Sequence, residues 1–492
     1  MTRFHSLTLN VVSMVAAIAW IGAGPAPESL GVPFDLPLGD ATLIALVLDH
    51  ADLRVRVDEQ AIPGLRARLA GTPKPRPTVR LEVQRTGRKL LVRRATAEAP
   101  DAPRPPIALE LVVRSRHRLE LEGRALGIEI TAPLPTGTRS AGSSELPEHG
   151  TLPPARWHLR LDDSQARLVG TENARIEARD GLVELIDTTG ALQLAVTGST
   201  VEVERHHGYL HLDGEQAEVK LHHLRGAFEI DQHGGSVEGF DLGETLVATA
   251  DQGTLSVQGW GGKATLHGSQ SRMVVEGGRA NASLTLTGRE LDAEVHDHAG
   301  PLQAQIEGGS LRATTLEGPI EAKGHAHADI DIEQVEERVD MTLEDASAGH
   351  LVDIRDRVYV KVDDSRVEVD GAEHFGARGE NAEATVRNIA RLEIVSFKNS
   401  RIDLDLTQIQ HHPALALKAA TEAHVRMPMP CSVRVAGSAF AIENKVRVTG
   451  CALYTRGHMP PRDKLLRSPD ERALVVNVVE DGSLDVEGVV LE

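Results

Sequence analysis

Apolar and polar residues alternate with a period of two along most of this chain. Residues two apart in a strand share a face, so the alternation predicts short strands with one buried side and one solvated side. Between residues 291 and 322 the predicted inward residues are Leu291, Ala293, Val295, Leu302, Ala304, Ile306, Leu311, Ala313, Ile320 and Ala322. The predicted outward residues are Asp292, Glu294, Gln303, Gln305, Arg312, Glu321 and Lys323.

Glycines separate these segments at intervals that average about nine or ten residues. They are Gly198, Gly208, Gly226, Gly235, Gly243, Gly253, Gly262, Gly268, Gly278, Gly288, Gly300, Gly309, Gly318 and Gly324. One such strand cannot bury its apolar row alone, whereas stacked units form continuous apolar columns. The pattern therefore predicts an all-β, elongated β-solenoid (β-helix) with a narrow aliphatic core and with glycine at the corners.

Proline, glycine and serine divide the chain into five predicted segments. Residues 1–27 are a signal peptide or membrane anchor, and 28–131 are a basic, β-rich N-terminal region. Residues 132–156 are a linker, 157–412 are the acidic solenoid, and 413–492 are a β-rich C-terminal cap that covers the open end.

The N-terminus predicts export. One arginine precedes an apolar run from Leu7 to Gly24, as in a signal peptide. Pro25 and Pro27 disfavour cleavage, and the run approaches the length of a membrane span, so an uncleaved anchor remains an alternative. We therefore expect the protein in the periplasm or at the cell surface.

The two cysteines, Cys431 and Cys451, are candidates for a disulfide in an exported protein. Their spacing in the sequence matches one coil of two strands, which would place them in neighbouring coils at the end of the array. Two unpaired thiols are the alternative.

Composition and charge restrict the partners. Aromatic side chains are few (7 Phe, 3 Tyr and 3 Trp), which disfavours sugar-stacking grooves and single-strand nucleic-acid platforms. The net charge of −19 likewise argues against a nucleic-acid partner. Residues 51–130 carry 17 Lys/Arg against 10 Asp/Glu; this basic part either contacts an anionic surface or is a solvated face.

No motif predicts catalysis or a cofactor. The stretch GWGGKAT (259–265) resembles a phosphate-binding loop, but Val257 stands where the first glycine is needed and Ala264 where Ser or Thr is needed. Neither Gly-x-Ser-x-Gly nor His-Glu-x-x-His is present. The carboxylates alternate on predicted outer faces, so we expect no enzyme and no cofactor.

The 22 histidines are the one feature of the composition that points to specific chemistry. Two groups alternate with carboxylates, and imidazole with carboxylate is a competent set of ligands for a divalent metal. They are candidate metal ligands; the alternative is that solvent-facing positions simply tolerate histidine. The first comprises Asp292, Glu294, His296 and His298, and the second His325, His327, Asp329 and Asp331.

The glycine-punctuated units within 181–324, such as GPLQAQIEGGSLRATTLEGPIEAKG, resemble the adhesin β-strand-repeat family of the bacterial cell envelope. The likeness extends over roughly 181–400. The resemblance implies an exported, right-handed β-helix-like body with a structural or adhesive role, and it supplies no catalytic residues.

We expect a non-enzymatic envelope protein that acts as a rigid spacer or interaction surface for an unidentified protein or polysaccharide, with membrane contact only through an N-terminal anchor. One alternative is a periplasmic lipid-binding or bridging β-structure, in which the apolar columns would line an open groove. Another is a carbohydrate-active β-helix enzyme, which requires converging carboxylates.

Overall fold

The computed structural model describes residues 28–69, 79–94, 107–133, 153–410, 413–437, 446–455, 472–478 and 483–489. These residues form strands and turns without any helix. They divide into two compact units. The N-terminal unit holds the described residues up to 188, and the C-terminal unit holds those from 189 onward. Solenoid turns, about 16 along the chain, make up most of both units, which confirms the predicted fold class.

The strands of the N-terminal unit lie in two rows. In chain order they are β1 (Glu28–Gly31), β2 (Phe34–Pro37), β3 (Leu43–Asp49), β4 (Ala51–Val57), β5 (Gly64–Leu69), β6 (Arg80–Thr86), β7 (Lys89–Arg94), β8 (Ile107–Val113), β9 (Arg118–Arg124), β10 (Gly127–Thr131), β11 (Trp157–Asp162), β12 (Gln165–Val169), β13 (Glu172–Arg179) and β14 (Leu182–Ile186).

Parallel pairing builds the solenoid turns of the N-terminal unit. One row runs β7–β3–β9–β11–β13 and the other β8–β4–β10–β12–β14. The turn formed by β3 and β4 is therefore inserted between two turns that follow it in the chain. At the outer edge the pairing becomes antiparallel, because β6 pairs with β7 and β1, and β5 pairs with β8 and β2.

The C-terminal unit repeats the two-row arrangement over a longer stretch. Its strands are β15 (Thr189–Thr197), β16 (Thr200–Glu204), β17 (His207–Glu215), β18 (Glu218–His233), β19 (Ser236–Leu242), β20 (Thr245–Asp251), β21 (Thr254–Trp260), β22 (Lys263–Ser269), β23 (Arg272–Glu276), β24 (Ser283–His296), β25 (Leu302–Leu316), β26 (Ile320–His325), β27 (Asp329–Val335), β28 (Val339–Leu343), β29 (Ala348–Asp363), β30 (Arg366–Glu380), β31 (Glu383–Lys398), β32 (Arg401–Asp405), β33 (Ala414–Lys418), β34 (Glu422–Pro428), β35 (Cys431–Gly437), β36 (Val446–Thr449), β37 (Ala452–Thr455), β38 (Arg472–Val478) and β39 (Ser483–Val489).

Register in the C-terminal unit is parallel throughout the described pairs, and from β15 to β34 the partners are about one coil apart. The length of that coil is not constant from β15 to β34: it is short where Val358 pairs with Phe375 and longer where Arg401 pairs with Glu422. Side chains at equal positions of successive turns stack in columns, at the interstrand spacing of about 4.8 Å.

The inner columns form the core. Every predicted inward residue between 291 and 322 is buried, with Ala304 and Ala322 each 1% exposed. The columns continue through 255–275, where Leu255, Val257, Ala264, Leu266, Met273 and Val275 are all buried. These columns form a closed aliphatic interior, as the small central alanines predict.

Corners between strands use left-handed backbone at regular intervals, and many of these residues are not glycine. Asp364, Asn381 and Asn399 have φ of 49°, 53° and 49° at equivalent corners. Asp and Asn tolerate this region better than most residues because their short side chains can bond locally. Glycine therefore forms some of the corners, as expected, and Asp and Asn form others.

Several of the predicted corner glycines instead lie inside strands, among them Gly268 and Gly288. Gly268 in β22 pairs with Gly288 in β24, and a Cβ on either would come within 2.5 Å of the Leu291 side chain. These glycines leave room for a leucine of the core, so their role is packing rather than turning.

The C-terminal end also contains an inserted turn. Strands β38 and β39 pair on one side with β33 and β34, and on the other with β35 and β36. Cys431, at the start of β35, is bonded to Cys451, one residue before β37, and β35 and β37 pair in parallel. The disulfide therefore ties neighbouring strands of one row together.

The two units divide between residues 188 and 189, which differs from the predicted linker at 132–156. Part of that predicted linker, 134–152, lies outside the described residues, as does the predicted signal or anchor at 1–27. The parallel turns already include β3, β4, β9 and β10, so solenoid structure begins upstream of the predicted start at residue 157.

Candidate functional site

The outer faces carry the charges of the protein in columns. In the N-terminal unit one column alternates in sign through six strands, in the order Arg66, Glu110, Arg54, Glu129, Arg167 and Glu184. The Arg54 Nε lies 3.6 Å from Glu129 Oε2, and the Arg167 Nε lies 3.7 Å from Glu184 Oε2. The basic residues of this column are thus matched by acidic neighbours on adjacent strands.

The C-terminal unit has similar ladders near its end. One runs Arg366, Glu383, Arg401 and Glu422, and another runs Asp405, Arg426 and Glu487. A shallow, open groove follows the corner beside the first ladder, and its lining includes Asp364, Ser365, Asn381, Ser400 and Asn399. Opposite charges directly across strands each contribute about 0.2–1 kcal/mol, so these ladders favour register and solubility.

The first predicted metal group is only partly assembled. Asp292, Glu294 and His296 lie on one outer face, as predicted, but each has a protein partner. Arg272 donates to Glu294 over 2.8 Å, Ser310 donates to Asp292 over 2.7 Å, and His296 Nδ1 lies 2.7 Å from Thr314 Oγ1.

His298 does not share that face, so this part of the prediction is wrong. Strand β24 ends at His296, and Asp297 takes a left-handed φ of 52°, which breaks the period of two and turns His298 inward. The His298 ring is fully buried and stacks on Trp260 with 4.9 Å between ring centroids. Its Nε2 lies 3.2 Å from the Pro301 carbonyl oxygen, and burial lowers its pKa.

The second predicted group is separated by a corner. Ala326 and His327 both have positive φ, so His325 ends one row and Asp329 begins the other. His325 Nδ1 pairs with Asp345 Oδ2 at 3.0 Å, while His327 is an exposed corner residue. The four predicted ligands therefore do not converge.

Asp331 instead joins a cluster with Glu333 and His350, in which the possible ligand atoms lie within 4.8 Å of one another. Asp331 and His350 are register partners, and His350 Nδ1 lies 3.2 Å from Asp331 Oδ1. Arg312 lies 4.0 Å from both carboxylates, so a fixed cation already balances part of their charge.

A second cluster with the same spacing limit consists of His211, Glu229 and Asp231. His211 on β17 pairs in register with Glu229 on β18, and Asp231 is two positions further along β18 on the same face. The Tyr209 hydroxyl donates to Glu229 Oε2 over 2.5 Å, and burial together with this carboxylate raises the pKa of Tyr209.

Neither cluster follows from local pattern, because its members lie on different strands. The pairing of His211 with Glu229 spans one full coil of the chain. A histidine and a carboxylate separated by the length of one coil are the sequence signal that could have identified these two clusters. Alternation of Asp, Glu and His within one strand reaches at most the two carboxylates of each cluster and not the histidine on the neighbouring strand.

Ion pairs elsewhere lower the pKa values of the carboxylates Asp241 and Glu177. Hydrogen bonds from Arg225 and His223 hold the pKa of Asp241 below its usual value, against the opposing effect of its own burial. Burial would raise the pKa of Glu177, but the nearby Arg160, Arg175 and His158 lower it. A general acid needs a raised pKa, so these carboxylates suit ion pairing rather than proton transfer.

The stretch GWGGKAT forms a corner between strands. Strand β21 ends at Trp260, which is 1% exposed, and β22 begins at Lys263. Strands flank the corner on both sides, so the helix N-terminus that a phosphate loop requires is missing at this point.

None of the described residues belongs to a helix that could span a membrane. Comparisons with protein-family models, with curated proteins and with solved structures find no match to this chain.

Proposed function

We propose that the protein is a non-enzymatic, exported scaffold whose solenoid faces act as a rigid spacer or interaction surface in the bacterial cell envelope. The observation that carries this proposal is the combination of a closed aliphatic interior with outer faces built from charge ladders. Such faces offer repeated, fixed side chains to an extended partner. The adhesin-like role is inferred from the repeat pattern.

Two features favour export. The Cys431–Cys451 disulfide is of the kind that persists in oxidising compartments such as the periplasm or cell surface. The apolar run from Leu7 to Gly24 has the character of a signal or anchor. The two features are independent, because they lie at opposite ends of the sequence.

The closed interior favours the scaffold over the lipid-bridging alternative. A lipid groove needs apolar walls open to the ligand, whereas inner residues such as Leu302, Ala304 and Ile306 are each at most 1% exposed. A carbohydrate-active enzyme would need carboxyls that act as an acid–base pair, and Asp241 and Glu177 have lowered pKa values.

Fractionation with N-terminal sequencing of the mature protein tests the proposal. We expect the protein in an envelope fraction: an intact N-terminus in the membrane would identify an anchor, and a new N-terminus near residues 25–30 in a soluble exported fraction would identify a signal peptide. Recovery in the cytosol would contradict the envelope role. Stoichiometric lipid in an organic extract of the purified protein would favour the lipid-binding alternative.

A further inference from the structure

The cluster of His211, Glu229 and Asp231 differs from the other charged groups on the outer face. In the ladders above, each carboxylate lies opposite an arginine of a neighbouring strand. Among the residues that the structure describes, no lysine or arginine forms an ion pair with Glu229 or Asp231, and the ion-pair partner of Glu229 is His211. Asp213, the register partner of Asp231, adds another negative charge to the same two strands.

The geometry of the cluster suits a shared cation. His211 Nδ1 and Glu229 Oε2 are 3.5 Å apart, and the ligand atoms of all three residues lie within 4.8 Å of one another. Two ligands of one metal ion, each bonded at about 2.0–2.1 Å, lie about 3–3.5 Å apart. The first pair is therefore already at ligand spacing, and Asp231 lies near enough to complete the set by a small movement of its side chain.

The ring nitrogen that faces this pair has no competing partner. His211 Nδ1 is shielded from solvent and makes no hydrogen bond. A buried ring nitrogen without a hydrogen bond is unfavourable unless something occupies it. The Tyr209 hydroxyl donates to Glu229 Oε2, which restrains the carboxylate beside the histidine.

We propose that His211, Glu229 and Asp231 bind a divalent transition-metal ion of the Zn²⁺ class. One imidazole with two carboxylates suits Zn²⁺, whereas Mg²⁺ and Ca²⁺ prefer oxygen ligands alone. The ion would neutralise the two carboxylates and link β17 to β18 across one turn. The Asp331–Glu333–His350 cluster does not support the same proposal, because Arg312 already supplies a positive charge there.

The test is calorimetric titration of the full-length, chelator-treated protein with Zn²⁺ at pH 7.5. We expect His211→Ala and Glu229→Gln each to weaken the tightest binding event by about tenfold or more, since even residues beyond the ligands alter metal affinity by about 10–100-fold. The matched control is His350→Ala in the second cluster, which should leave that event within about threefold of the wild type. Mg²⁺ should not compete.

Circular dichroism shows whether each variant is folded, and Asp231→Asn serves as a further ligand variant if His211→Ala is not. Tight binding that is lost from a folded His211 or Asp231 variant and kept in His350→Ala supports the site. No tight event in the wild type, or equal losses in His211→Ala and His350→Ala, would overturn it, because the metal would then be held only by scattered surface histidines.

Discussion

The corner formed by Trp260 and His298 in the C-terminal unit contrasts with the ladder around Arg54 in the N-terminal unit. Both are products of alternating strands. Trp260 and His298 are enclosed, at 1% and 0% exposure, and stack on each other, whereas the Arg54 side chain is 80% exposed between two glutamates. The comparison teaches that the inner columns set the stability of this fold, while the outer columns can vary at little cost.

Removing the indole should have the largest effect. Trp260→Ala deletes a large, fully buried side chain, which typically destabilises a protein by about 3–5 kcal/mol. Urea unfolding followed by circular dichroism measures it. Gln258→Ala, an exposed neighbour on the same strand, is the control and should change stability by less than about 0.5 kcal/mol. Equal losses of stability in the two variants would contradict the predicted difference between buried and exposed positions.

Adding one methyl group to the same corner should have the next largest effect. A Cβ at Gly278 would lie 2.2 Å from His298 Nδ1 and 2.7 Å from the Trp260 ring, so Gly278→Ala should cost about 1–3 kcal/mol through overpacking. At Gly261 the nearest atom to an added Cβ is 3.5 Å away. Gly261→Ala should therefore be tolerated in the same urea experiment, and a loss as large as that of Gly278→Ala would contradict this account.

Acidification should weaken the buried corner. Burial lowers the pKa of His298 below its unfolded value of about 6.5, so its contribution to stability is fully present above pH 6.5 and is lost as the pH falls through the folded pKa. His298→Phe keeps an aromatic ring beside Trp260 but cannot titrate. Between pH 7.5 and 5.0 the wild type should lose more unfolding free energy than this variant, and an equal loss in both would refute the assignment.

Reversing a charge in the outer ladder should have the smallest effect. Arg54→Glu places like charges opposite Glu110 and Glu129, and the expected loss is about 0.5–1 kcal/mol at low salt. The loss should shrink in 0.5 M salt because exposed charges are screened. Arg54→Gln is the milder control. A loss approaching that of Trp260→Ala would mean that the ladder contributes far more than exposed charge pairs normally do.

The sequence was sufficient for the features that depend on neighbouring residues. Alternation identified the strands, and it assigned Leu291, Ala293 and Val295 to the core and Asp292 and Glu294 to the outer face. These assignments need only the period of two, which is a local property of extended backbone.

The assignments that failed crossed a corner. His298 follows Asp297, and Asp329 follows Ala326 and His327; each of these corner residues has positive φ, so the period of two does not continue across it. Counting by two from His296 therefore assigns His298 to the wrong face, and counting by two from His325 passes from one row of strands into the other. The metal candidates were lost for this reason, since each predicted group extended past the end of its strand.

The sequence by itself determined the fold class and the two faces of each strand, because backbone geometry sets both within a few residues. Only the tertiary structure decided which outer side chains meet. Glu229 lies opposite His211, which is one coil away in the chain. The β3–β4 and β38–β39 turns pair with strands that are far from them in the sequence. Such contacts depend on the order of stacking and on coil lengths that change from one turn to the next, which no local pattern encodes.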